Sequence, residues 1–89
     1  MFSIEIKRKA LRKLTELDEK RKGKIEEVVT ILKADPVPFR RVDICKLKGY
    51  DNMYRVRTGD LRIVYEVSWD RRAVVIHYVG PREKAYRGI

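Results

Sequence analysis

The stretch Tyr54-Arg-Val-Arg-Thr-Gly-Asp-Leu-Arg-Ile-Val-Tyr65 reads as a β-hairpin. Gly59-Asp60 supplies a two-residue turn with glycine at its first central position, the requirement of a type II′ turn. Such a turn sets Arg57 opposite Arg62, Val56 opposite Ile63, Arg55 opposite Val64 and Tyr54 opposite Tyr65. Side chains alternate between the faces of a sheet, and directly paired residues share a face. One face then carries Tyr54, Val56, Leu61, Ile63, Tyr65 and Val67, which is a core. The other carries Arg55, Arg57 and Arg62, with Val64 and Glu66 beside them. A slip of one residue would part Arg62 from Arg57, so the patch depends on that register. The plain alternative is a solvated face, common in antiparallel sheets. Lysine would serve solvation as well as arginine, whereas the planar guanidinium fork matches phosphate. Three guanidiniums on one small patch repel, and an anion is the expected occupant.

Composition points the same way. The 89 residues carry 22 Lys and Arg against 13 Asp and Glu, a net charge of +9. That balance calls for a polyanionic partner, either nucleic acid or an acidic protein surface. Length allows one domain, taken as residues 1–89, with a modest core. The single Cys45 excludes an internal disulfide framework and fits a reducing, cytoplasmic setting. It is expected to act as a small buried hydrophobe. The first residues alternate like a strand and lack the apolar core of a signal peptide. No run approaches the roughly 20 apolar residues that span a bilayer, so no membrane association is expected.

Outward from the hairpin, Phe2, Ile4 and Ile6 alternate with Ser3 and Glu5 and predict a first strand. Ala10, Leu11, Leu14 and Leu17 follow helical spacing, predicting a basic amphipathic helix from about Lys7. Asp18 is placed to cap a second helix, with Glu19 in its favourable first turn. Ile25, Val28, Val29 and Leu32 form that helix's apolar stripe. Gly23 weakens its first turns, and Asp35-Pro36 ends it, because a residue before proline avoids the helical region. After the Val37-Pro38-Phe39 loop, Ile44 and Leu47 anchor a short strand whose bounds stay open. Ala73 to Val79 is mostly apolar and predicts a central strand. The expected fold is α+β in β-α-α-β-β-β order: two N-terminal helices on one face of a small, mostly antiparallel sheet.

Familiar catalytic sets are missing from the sequence. There is one histidine, His77, inside the last strand, where a partly buried, hydrogen-bonded ring is the expected role. No His-Cys cluster at metal spacing and no glycine-rich phosphate loop is present, so no cofactor or metal is implied. A site of Arg, Lys and Tyr can nevertheless cleave RNA. The ribose 2′-hydroxyl is an internal nucleophile, and the protein need only align it and stabilise charge on the phosphorane. Arginine is a poor general base. Such an enzyme should be slow on free RNA and depend on something that holds the substrate.

Three segments together resemble the RelE/ParE superfamily of bacterial and archaeal toxins from type II toxin–antitoxin pairs. They are Lys46-Leu47-Lys48-Gly49, the hairpin from Tyr54 to Tyr65, and Val79-Gly80-Pro81-Arg82 followed by Tyr86. RelE-like members cut messenger RNA in the ribosomal A site with basic residues on the sheet and a tyrosine near the C-terminus. The resemblance implies that Arg55, Arg57, Arg62 and Arg82 grip and stabilise the scissile phosphate. Tyr86 would orient or deprotonate the 2′-hydroxyl, or stack on a base. Lys46, Lys48, Lys7, Arg8 and Arg12 would hold RNA. Some members carry lysine where Arg55 and Arg57 stand, and Pro81 replaces a His or Lys common before the Arg.

The implied activity is a ribosome-dependent, metal-independent endoribonuclease, an mRNA interferase that inhibits translation. Its partners would be the ribosome with its mRNA and a cognate antitoxin, which would hold it in a hetero-oligomer. A basic toxin of this size suits an acidic, partly disordered antitoxin segment that orders as it wraps the domain. Two alternatives stay open: a ParE-like inhibitor of DNA gyrase that cuts nothing, and a decayed toxin kept as an antitoxin-binding module.

Overall fold

The hairpin forms in the expected register. In the computed structural model, which describes residues 1–81, Tyr54 pairs with Tyr65, Arg55 with Val64, Val56 with Ile63 and Arg57 with Arg62. Gly59 has φ +61°, while Asp60 keeps a negative φ. Positive φ at the first central residue alone is what a type II′ turn needs.

Around the hairpin stand β1 (Ser3–Ile6), α1 (Arg8–Glu16), α2 (Glu19–Ala34), β2 (Asp43–Lys46), β3 (Met53–Thr58), β4 (Leu61–Ser68) and β5 (Ala73–Gly80). The sheet order is β1-β5-β4-β3-β2. Only β1 and β5 run parallel; the other neighbours are antiparallel. The α+β architecture and the order of elements are those expected. The segment around Ile44 forms β2, so the sheet has five strands and β5 lies inside it.

Local chemistry sets the helix ends. Asp18 Oδ1 accepts a hydrogen bond from the Arg21 backbone N–H at 2.8 Å, a side-chain cap on α2. Asp35 is the C-cap, one residue before Pro36. Gly23 lies within α2 without breaking it. Its cost of about 1 kcal/mol relative to alanine is outweighed by burying Ile25, Val28 and Leu32. On α1, Ala10 is buried and Leu14 and Leu17 pack partly against the core, but Leu11 is exposed. The sequence placed Leu11 in the stripe. It sits one residue round the helix from Ala10, about 100° off the face that meets the sheet.

Both helices cover the face bearing Tyr54, Val56, Leu61, Ile63, Tyr65 and Val67, all buried in one core with Val74, Ile76 and Val79. Tyr65 ties this core to the loop after α2. Its ring stacks on Tyr54 with centroids 5.7 Å apart, and its hydroxyl donates to the Pro36 carbonyl at 2.7 Å.

Burial raises the Tyr65 phenol well above its ordinary pKa of 10.0. Above that pH the unfolded chain ionises Tyr65 while the folded chain keeps it protonated. Its contribution is therefore fully present below about pH 10 and is lost as pH rises toward the folded value, by at most about 1.4 kcal/mol per pH unit. Tyr65→Phe should remove that alkaline slope and, by stranding the Pro36 carbonyl, cost about 1–2 kcal/mol near neutrality. Urea unfolding of both proteins near pH 7 and near pH 11 checks this; a mutant with the wild-type alkaline slope would refute it.

Candidate functional site

The face turned away from the helices carries the arginines in two cross-strand rows. One runs Gly80, Arg62, Arg57, Asp43 across β5, β4, β3 and β2; the next runs Tyr78, Val64, Arg55, Cys45. Arg55, Arg57 and Arg62 thus share one patch, as the hairpin register requires.

Asp43 stands between two of the arginines. Arg57 Nε donates to Asp43 Oδ2 at 2.9 Å, and Arg55 Nη2 lies 4.0 Å from Asp43 Oδ1. Arg55 Nη2 also donates to Cys45 Sγ at 3.0 Å. The Asp43 carboxylate beside Arg57 and Arg55 relieves part of the repulsion between those two guanidiniums. The arginines differ in setting. The Arg57 side chain is 48% exposed and the Arg55 side chain 11%. Among the described residues, buried Arg55 Nε has no hydrogen-bond acceptor. A buried donor left so costs about 1–3 kcal/mol, which an anionic oxygen at this position would recover. Val64, between Tyr78 and Arg55, is fully buried although it lies on this face. A simple wet face fits neither residue.

The other sequence-derived candidates fall elsewhere. Lys46 pairs with Tyr54, so alternation puts it at the edge of the helix-covered face, away from the arginines. Lys48 is exposed in the turn between β2 and β3. Lys7, Arg8 and Arg12 are exposed at and along α1, in the helical layer. Arg82 and Tyr86 lie outside the described residues. His77 is half-buried, its Nε2 3.1 Å from Glu66 Oε1, as expected of a satisfied sheet histidine.

Cys45 corrects the sequence reading. It is exposed. β2 is an edge strand, and Cys45 shares the arginine face with its partner Arg55, so it has no second layer to cover it.

Asp43 and Tyr78 are site neighbours that the sequence reading passed over. The signal for Asp43 was present: with Ile44 facing the core, Asp43 and Cys45 must share the opposite face. Tyr78 was hidden by treating β5 as uniformly buried.

The tip of the hairpin is held from behind. Arg21 of α2 donates through Nη2 and Nε to the two Asp60 oxygens at 2.6 and 3.1 Å, and through Nη1 to Asp18 Oδ2 at 2.8 Å. These hydrogen bonds hold the Asp60 carboxyl below its usual range. The fork fixes the Gly59-Asp60 turn against α2, and with it the ends of the strands bearing Arg57 and Arg62. No described helix is long and apolar enough to cross a membrane.

A two-helix layer on one face of a five-stranded sheet, with arginines clustered on the other, defines a small basic α+β protein. Comparison with known proteins gives the family. The family model for the ParE toxin of type II toxin–antitoxin systems, parDE, matches residues 4–86. A Methanocaldococcus jannaschii protein provisionally named toxin RelE1 is 40% identical over 86 residues, which covers 97% of this chain and 96% of the relative. The archaeal RelE–RelB complex from Pyrococcus horikoshii OT3 contains a chain of the same fold, with a TM-score of 0.82 and 29% identity over 93% of this chain and 97% of that one. The intact E. coli RelBE toxin–antitoxin complex gives a TM-score of 0.80 at 19% identity, covering 93% and 99% of the two chains. At that identity the likeness speaks for the fold. The chain belongs to the RelE/ParE superfamily of type II toxins and is a RelE-like toxin.

Proposed function

We propose that this toxin is a ribosome-dependent endoribonuclease that halts translation by cutting messenger RNA and is neutralised by a cognate antitoxin. The observation that carries the reading is Arg57 directly opposite Arg62, with Arg55 one row away, on the sheet face turned from the helices. Arg55, Arg57 and Arg62, with Arg82 following β5, stabilise the charge that builds on the scissile phosphate. Tyr86 orients or deprotonates the 2′-hydroxyl, or stacks on a base. A slow intrinsic site of this kind needs its substrate aligned from outside, and the ribosome supplies that alignment. The exposed cations of Lys7, Arg8, Arg12, Lys46 and Lys48, outside the two arginine rows, serve to hold ribosomal RNA. Relatives crystallised as RelE–RelB complexes support the antitoxin as partner, and with it a hetero-oligomer.

The test is primer extension on a translated message, set beside the same RNA naked. Cuts within codons on the ribosome and almost none on naked RNA are expected. Equal cleavage of both would overturn ribosome dependence. The ParE family match is the specific observation behind a second reading, a gyrase inhibitor that cleaves nothing. Loss of supercoiling activity with no RNA cuts would select it.

A further inference from the structure

Strand β5 does not alternate cleanly. Across from β4, Val64 pairs with Tyr78 but Tyr65 pairs with Ile76, so His77 is the extra residue of a β-bulge. Val74, Ile76 and Val79 enter the core. His77 reaches Glu66, whose alternation puts it on the arginine face, and Tyr78 sits beside Val64 on the same side. The bulge thus turns two consecutive side chains toward the site, and it re-aims Tyr78 in particular.

The phenol then runs along the strand to Gly80. A Cβ built on Gly80 would stand 2.0 Å from Tyr78 Oη and 2.5 Å from its Cζ. The hydroxyl therefore occupies the space that a side chain at position 80 would fill. Gly80 is not among the glycines with positive φ, which are Gly49 and Gly59. Backbone conformation does not ask for glycine here; the ring does. Gly80 faces Arg62, and Arg62 faces Arg57. Tyr78 Oη is thereby delivered to the Gly80 end of the arginine row.

We infer that Tyr78 is a further substrate-contacting residue of this site, its hydroxyl donating to an RNA phosphate held by Arg62 and Arg57. The inference rests on the reading that this face receives a phosphodiester. A phenol donates a hydrogen bond without carrying charge, so it adds a ligand to the phosphate without adding to guanidinium repulsion. The competing explanation is packing alone, since an aromatic ring often covers a glycine in a neighbouring part of a sheet. Covering Gly80 needs the ring; donation to a phosphate needs the oxygen as well. Tyr78→Phe separates the two.

The probes are uridine 3′-phosphate and uridine, titrated at low salt into wild type and Tyr78→Phe, with single-turnover cleavage of a translated message run beside them. Wild type should prefer the phosphorylated probe, and that preference should fall about fivefold in the variant. Thermal midpoint and ribosome binding should be unchanged, and message cleavage should fall about tenfold. An unaltered preference in the variant, or none in wild type, would overturn the assignment. Wild-type cleavage with an unaltered preference would leave the endoribonuclease standing and reduce Tyr78 to a cover for Gly80. A lost preference in the variant, with no cleavage by wild type, would keep the phosphate contact and remove the nuclease.

Discussion

Arg62→Ala should lower cleavage of a translated message by a factor on the order of a hundred or more, the loss seen when a transition-state oxyanion donor is removed. Arg82→Ala should match it. Arg62 is the basic residue central to its row, between Gly80 and Arg57. The contacts that Asp43 makes with Arg57 and Arg55 do not involve Arg62 and should survive its removal. Ribosome binding should fall far less than cleavage, since exposed cations on α1 and in the turn after β2 share that task. Arg62→Lys keeps the charge and loses the fork, so cleavage between that of wild type and Arg62→Ala is expected. Single-turnover primer extension measures all three variants, with a thermal scan to confirm folding. Wild-type cleavage by Arg62→Ala would return the residue to a solvated strand face.

The hairpin was legible because two local rules agreed on it. The Gly59-Asp60 turn sets the register, and alternation then sets both faces, so the arginine patch follows from local sequence. Caps were legible for a similar reason: Asp18 and Asp35-Pro36 act on neighbouring backbone. What was not legible depends on contacts distant in the chain. Leu11 fits helical spacing, but only the placement of α1 on the sheet shows that its side of the helix meets nothing. Cys45 looks like a buried hydrophobe until β2 is known to be an edge. The bulge at His77 has no local marker in an apolar run, and without it Tyr78 reads as one more core position. Asp43 had its signal, yet its meaning required the pairing of β2 with β3. Family resemblance reached Arg82 and Tyr86, which no spacing rule in this sequence connects to the hairpin.

Leu32→Ala should cost about 2–5 kcal/mol, the usual range for emptying a fully buried leucine site. Leu32 is 0% exposed and belongs to the core that α2 forms with Val56, Ile63 and Tyr65. At roughly 4–8 °C per kcal/mol for a domain of this size, the thermal midpoint should drop by at least about 8 °C. Leu11→Ala is the matched control: the same atoms leave a side chain 48% exposed on α1, and the change should stay within about 0.5 kcal/mol. The contrast bears on function because β3 and β4 present the core residues on one face and the arginines on the other. Each residue that α2 buries helps hold the register that sets Arg57 opposite Arg62. Denaturant unfolding of the two variants measures the difference directly. Equal, small losses would mean that α2 is not what holds the hairpin, and that Arg21 at Asp60 and the neighbouring strands position the arginines without it.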